Sequence, residues 1–157
     1  MKKFIIIGAP NSGKTTQINI LRSKYNLHIL ELDEELVKLN DGKWPGDYKY
    51  RNLTLLPKVI ENISSLDEAI FFTSYFDIPT LSRLKLKGYK ILLIQVPELE
   101  LLKRNESNIG TEWDKSSHIK DNLKYQEDLI NSNLIDNIIN GLKSPDDIAF
   151  EIYNHTN

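Results

Sequence analysis

Short unbroken apolar runs alternate along this chain with stretches in which apolar residues return every three or four positions. Phe4–Ile7 is continuously apolar and rich in β-branched residues, which predicts a strand buried on both faces. Ile18, Leu21 and Tyr25 then recur at helical spacing and predict a helix from about Gly13 to Lys24. His28–Leu32 reads as a second strand and Glu34–Leu39 as a short helix. Asp41-Gly42 and Trp44-Pro45-Gly46 mark Asn40–Tyr50 as a loop. Pro57 belongs in the first turn of the next helix, with Val59, Ile60 and Ile63 as its apolar stripe.

Ala69–Thr73 is a third strand, and Pro79 opens a helix that Gly88 closes. Tyr89–Val96 is the clearest strand, Glu98–Glu106 is helical, and Ser107–Lys115 is a polar loop. Ser116 or Ser117 caps a helix with Ile119, Leu123, Gln126 and Ile130 on one face. Ile135–Ile139 gives a short fifth strand. Ser144-Pro145-Asp146-Asp147 starts a last helix, with serine as cap, proline at its first position and carboxylates in its first turn. Strands alternating with helices predict an α/β fold: three layers, with a five-stranded mainly parallel sheet flanked by helices. With no repeat and no linker, residues 1–157 read as one domain.

Composition narrows the function classes. The formal net charge of −2 argues against a broad nucleic-acid binder, which would be strongly basic. The absence of cysteine removes thiolate metal sites, disulfides and a cysteine nucleophile. No apolar run approaches the roughly 18 residues of a membrane span. The expectation is a cytoplasmic monomer with neither a nucleic-acid nor a membrane partner. Arginine occurs only at positions 22, 51, 83 and 104.

Gly8-Ala9-Pro10-Asn11-Ser12-Gly13-Lys14-Thr15 fits G-x-x-x-x-G-K-[ST] between a predicted strand and a predicted helix. That context makes it a phosphate-binding P-loop. Its glycines let the backbone fold into a nest of N–H groups, and the helix N-terminus adds its positive end. Lys14 would reach the β- and γ-phosphates of ATP, the Thr15 hydroxyl would join Mg²⁺, and Thr16 lies beside it in the first helical turn.

The stretch "IIIGAPNSGKTTQINILRSKYNLHILELDEEL" resembles the opening of an adenylate kinase or related nucleoside monophosphate kinase. The shared elements are the Gly-Ala-Pro start, Gln17, Lys24-Tyr25 and Asp33 just past the second strand. "FFTSYFDIPTLSRLKLKGYKILLIQVPELELLKRN" and "IDNIINGLKSPDDIAFEI" are similar to the family's later strands and helices. The resemblance implies a P-loop kinase with ATP at Gly8–Thr15 and Arg104 near the nucleotide. It also implies an acceptor-binding region over about 34–66 and a short lid over about 105–118. Lys120 falls where the family has an arginine that closes on the phosphates, and Asn140–Lys143 falls at the turn beside the adenine.

The departures from that family concern the acceptor. Where adenylate kinases have Thr-Gly-Asp and a nearby arginine, this chain has Glu31-Leu32-Asp33; where they have Asp-Gly-Phe-Pro-Arg, it has Thr73-Ser74-Tyr75-Phe76-Asp77-Ile78-Pro79. Arginine forks are the usual clamp for a phosphorylated acceptor, so the acceptor is expected not to be AMP. Ligands bind beyond the carboxyl ends of parallel strands, which makes Glu31, Asp33, Ser74 and Tyr75 candidate acceptor residues, with Arg51 as a further one. The placement of Asp33 resembles the aspartates of shikimate-type kinases. It could take a proton from an acceptor hydroxyl or support Mg²⁺, or it could simply cap the helix at Glu34. Asp77 could replace the missing third-strand acid or cap the helix at Pro79. Trp44 and Trp113 could stack on ligands or pin their loops. The expected catalytic set is Lys14, Asp33, Arg104 and Lys120. The alternative is a non-catalytic ATP-binding regulatory module descended from a kinase.

Overall fold

In the computed structural model, which describes residues 2–157, the apolar runs assemble into one five-stranded sheet. The strands are β1 (Lys3–Gly8), β2 (Ile29–Glu31), β3 (Ala69–Thr73), β4 (Lys90–Gln95) and β5 (Asn137–Asn140). Their order is β2-β3-β1-β4-β5, and every pairing is parallel. Parallel neighbours need crossovers, which the helices supply. These are α1 (Lys14–Tyr25), α2 (Leu32–Leu39), α3 (Tyr48–Tyr50), α4 (Leu56–Ser65), α5 (Ile78–Leu86), α6 (Glu98–Asn105), α7 (Ser116–Asn131) and α8 (Pro145–Thr156).

Alternation along each strand divides the core in two. Ile5, Ile7, Phe71, Ile91 and Leu93 meet Leu36, Val59, Leu84 and Leu129 on one side of the sheet. Phe4, Ile6, Phe72, Leu92 and Ile94 meet Ile18, Leu21, Ala149 and Ile152 on the other. The result is the expected three-layer α/β architecture. Ile7 pairs with Thr73, Gly8 with Ile94, Glu31 with Phe72 and Gln95 with Asn140, so the carboxyl ends of all five strands share one edge. After β1 the chain builds first on one side and then on the other, and ligand crevices open at such a reversal.

Several boundaries differ from expectation. Leu32 is already helical, so β2 ends at Glu31, and it is Glu31 that caps α2 by accepting the Glu34 N–H at 3.2 Å. Asp33 therefore lies in the first turn of α2 and is not its cap. The loop expected to reach Tyr50 ends at Asp47, whose carboxylate accepts the Tyr50 N–H at 2.9 Å. Helical backbone then runs through a π-helical turn, Arg51–Leu55, directly into α4. Pro57 thus sits within a continuous helical segment, and the wide turn just before it accommodates the missing N–H.

Asp77 caps α5 through the Thr80 N–H at 2.7 Å. The N-cap position of α7 is Lys115, whose side chain makes no capping bond, and neither Ser116 nor Ser117 is the cap; Asp114 just before it accepts both the N–H and the hydroxyl of Ser116, at 3.0 and 2.6 Å. α6 stops at Asn105 and passes into a 3-10 turn, Glu106–Asn108. β5 starts two residues later than expected, because Asp136 engages Ile91 with both its N–H and its carboxylate, each at 2.8 Å.

Candidate active site

The loop between β1 and α1 is shaped by two residues in left-handed conformation, Asn11 (φ 65°) and Gly13 (φ 93°). A Cβ on Gly8 would collide with the Ser12 hydroxyl, so the motif's first glycine is required by close approach. No side chain caps α1, which leaves the first-turn N–H groups of the helix available to an anion. The Ser12 hydroxyl is 2% exposed at residue level and has no hydrogen-bond partner among the described residues. An uncapped helix end, an orphaned hydroxyl and a lysine in one hollow fit phosphate oxygens. Lys14 Nζ donates to the carbonyls of Gly8 (2.8 Å) and Ala9 (2.9 Å). Burial pulls its pKa down to about 8, against the opposing pull of Glu31 and Asp33.

On one side this loop opens into a cleft of about 500 Å³ that includes Ser12, Lys14, Thr15, Thr16, Arg104 and Gly141. Arg104 holds the cleft together. Its Nε donates to Glu100 at 3.1 Å, its Nη1 to the Asn11 carbonyl at 3.0 Å and its Nη2 to the Gly141 carbonyl at 3.5 Å. Gly141 could not be another residue without movement, because a Cβ there would strike Val96 and the Gln95 carbonyl. The 8–15 loop, Arg104, Gly141 and Lys143, separated in sequence, are thus brought together around one cleft.

On the other side of Pro10 lies a second cavity of about 580 Å³. Asp33 from α2, Ser74 and Tyr75 from the exit of β3, and Tyr48 from α3 line it. α7 supplies the remaining wall with His118, Asp121, Asn122 and Tyr125, and Lys115 sits just before that helix. Asn122 Nδ2 donates to the Ser74 carbonyl at 2.8 Å, and the Tyr125 hydroxyl donates to the Phe76 carbonyl at 2.6 Å. These bonds fix α7 against the β3 exit. Sequence reasoning missed this wall because it followed the apolar face of α7. Lys115, His118, Asn122 and Tyr125 repeat at helical spacing on the adjoining face, about 100° round the helix, and that periodicity was the available signal.

Glu31 stands behind Asp33, its carboxyl pKa raised by burial and then by the nearby Asp33 charge, and its oxygens are engaged in capping α2. Arg51 lies outside both cavities. Its guanidinium packs 5.2 Å from the Trp44 ring centre and 5.4 Å from that of Tyr48, and it donates to the Pro45 carbonyl at 3.2 Å. Lys120 is exposed on α7 and lines neither cavity. Trp113 is exposed at the tip of the 106–113 segment.

That segment is rooted on Asn105, which is fully buried. Its Nδ2 donates to Asp114 (2.9 Å) and Ser116 (3.1 Å), and its Oδ1 accepts from the Lys115 N–H (2.9 Å) and Asn11 Nδ2 (3.4 Å). One side chain therefore joins the phosphate loop to both ends of the segment. The Ser116 hydroxyl first, then the Asn105 amide and the Ser116 and Gly110 N–H groups, hold the Asp114 carboxyl far below the usual aspartate range.

No protein-family model and no curated protein sequence matches this chain. Solved structures do. Shikimate kinase from Aquifex aeolicus is 21% identical with a TM-score of 0.72, covering 97% of this chain and 94% of its own. Shikimate kinase from Acinetobacter baumannii, solved in complex with shikimate, is 18% identical with a TM-score of 0.72, covering 99% and 92%. A gluconokinase from Sinorhizobium meliloti is 16% identical with a TM-score of 0.63, covering 99% and 98%. Over nearly its whole length the chain has the α/β fold of these P-loop kinases, sheet order included.

Proposed function

We propose that the protein transfers the γ-phosphoryl group of ATP to a hydroxyl of a small acceptor other than AMP. One observation supports this reading most: the phosphate nest opens on one side to a nucleotide-sized cleft and on the other to a cavity that presents the Asp33 carboxylate. The fold neighbours are kinases by name, which agrees with it. In this reading residues 1–157 form one P-loop kinase domain, with acceptor binding over 34–66 and a lid over 105–118.

The backbone of Gly8–Thr16 and Lys14 hold the phosphates, and Arg104 meets charge that develops as ADP leaves. The acceptor oxygen bonds to the γ-phosphorus as the bridging P–O bond to ADP breaks, and the hydroxyl proton passes to Asp33. Among the described residues no three His, Asp or Glu side chains gather into a metal-binding group, so the donors present fit a cation that arrives with the nucleotide. Thr15 and Asp33 are the residues that would hold Mg²⁺, which supplies charge neutralisation on the phosphates. Holding both substrates in line is the larger part of the catalysis this site can provide.

ADP release measured against a panel of alcohols, sugars and nucleosides tests the reading. At least one acceptor should raise turnover well above the water background, and Lys14→Ala should abolish it. Turnover that no acceptor raises and that Lys14→Ala leaves intact would refute the proposal.

A further inference from the structure

We infer that the acceptor carries no acidic group, and that the second cavity selects a neutral or amine-bearing hydroxyl compound. This rests on the phosphotransfer reading and names the substrate class within it. Recognition of a carboxylate or phosphate in a pocket calls for an arginine fork or an equivalent fixed cation. The chain has arginine at four positions only; none lines the acceptor cavity, and the one that packs on a lining residue, Arg51 on Tyr48, donates to the Pro45 carbonyl. Arg22 pairs with Glu34 at 2.6 Å. Arg51 is held over Trp44 and Tyr48. Arg83 donates to the Thr80 hydroxyl at 3.3 Å within α5. Arg104 spans Glu100, Asn11 and Gly141 on the nucleotide side.

Of the charged groups that line the cavity, two are carboxylates and one is an ammonium. Asp33 and Asp121 line it, and neither takes part in an ion pair among the described residues. Lys115 is the one ammonium in the lining, and its backbone is anchored at the phosphate end: its N–H is bonded to Asn105, which also holds Asn11 of the phosphate loop. A backbone anchored there keeps the lysine within reach of the transferred phosphoryl group. Asp33 is occupied by the reacting hydroxyl. Asp121 then remains as a charge that repels an acid and attracts an amine or a hydroxyl.

Shape agrees with charge. Tyr75 is 52% exposed, and its ring leans against Tyr125 with centres 4.7 Å apart. This gives the cavity an aromatic face for the C–H side of a ring or for an ammonium group. The polar ends of Asn122 and Tyr125 are already bonded to the Ser74 and Phe76 carbonyls, so they shape the wall without asking for an anion.

The test is a matched acceptor panel with the full chain and MgATP, read by ADP release: glucose, glucosamine and gluconate as one set, adenosine and AMP as another. The neutral or amine member should exceed its acid by about tenfold or more in kcat/KM. Asp121→Lys should shift that ratio toward the acid by about tenfold, with the milder Asp121→Asn moving it the same way. An acid used better than its neutral partner overturns the inference, as does a ratio that neither variant moves. If every compound stays at the water background, the phosphotransfer reading fails, and the charge argument is read separately from His118 ring resonances titrated with glucosamine and gluconate. A larger response to glucosamine supports it; an equal or larger response to gluconate, or no response to either, overturns it.

Discussion

Lys14 holds its charge in a place that disfavours charge, and this gives a prediction whose sign is unusual for a lysine. Burial lowers its pKa from 10.5 to about 8, and Glu31 and Asp33 offset only part of that. Between those two values the unfolded chain binds more protons at this site than the folded one, so stability rises with pH. Below about pH 8 the full penalty is present; above it the lysine is neutral when folded and the penalty fades. The contribution should grow by roughly 1–1.5 kcal/mol between pH 7 and pH 9. Urea unfolding at 25 °C of wild type and Lys14→Met, each at both pH values, isolates it, since every other titration is common to the two proteins. Wild type should gain on the variant by that amount at the higher pH. Phosphate oxygens would restore the charge, so ATP binding at pH 8.5 should take up roughly half a proton or more, measured by calorimetry in buffers of different ionisation enthalpy. A wild-type advantage that is flat or falls with pH, together with binding that takes up no proton, would refute the reasoning.

Other consequences follow from single contacts. Asn105→Ala removes a fully buried amide and leaves the Lys115 N–H without its partner, while Asp114 keeps its bonds to Ser116, so it should cost about 1–3 kcal/mol in urea unfolding and speed proteolysis within 106–113. Gly141→Ala forces a Cβ against Val96 and the Gln95 carbonyl, and should cost about 1–3 kcal/mol while weakening ATP binding in a fluorescence titration. Because the folded-state pKa of Asp114 is depressed, its support of the root of the 106–113 segment is full above the unfolded aspartate value and is lost only as pH falls below it. Wild type should therefore keep a constant stability margin over Asp114→Asn from neutral pH to about pH 5, with the margin shrinking below about pH 4.

What the sequence disclosed and what it hid differ by the range of the interactions involved. Phe4–Ile7, Ala69–Thr73 and the Tyr89–Val96 run are legible as strands because burial on both faces leaves no polar position in their centres. The P-loop and the Ser144-Pro145 helix start are legible because each is a local backbone device with its own residue code. Within 40–65 only residues 48–55 misled, because Gly42, Pro45 and Gly46 signal a loop strongly, whereas the helical backbone that follows starts early from one capping aspartate and runs through a π-helical turn into the Pro57 helix. No local rule announces that. The Asn105 junction joins residues some ninety positions apart, Asn11 to Asn105, and only the fold brings them together.

The acidic pair at the end of β2 shows why this boundary matters for function. From sequence, Glu31 and Asp33 are equivalent candidates for cap and for chemistry, and only the end point of β2 separates them. With Leu32 helical, Glu31 caps α2 and Asp33 is left free at the cavity. Both still act on Lys14, since both raise a pKa that burial lowers. A single placement therefore favours the charged form of Lys14, stabilises the start of α2 and leaves one carboxylate facing the cavity, where the proposed reaction uses it. Replacing the pair by neutral residues would disturb all three at once. A loss of phosphotransfer in such a double variant could then not be assigned to the base alone, whereas Asp33→Asn leaves the Glu31 cap in place. Lost turnover in Asp33→Asn with little change in urea stability is the pattern expected of a carboxylate that serves the acceptor.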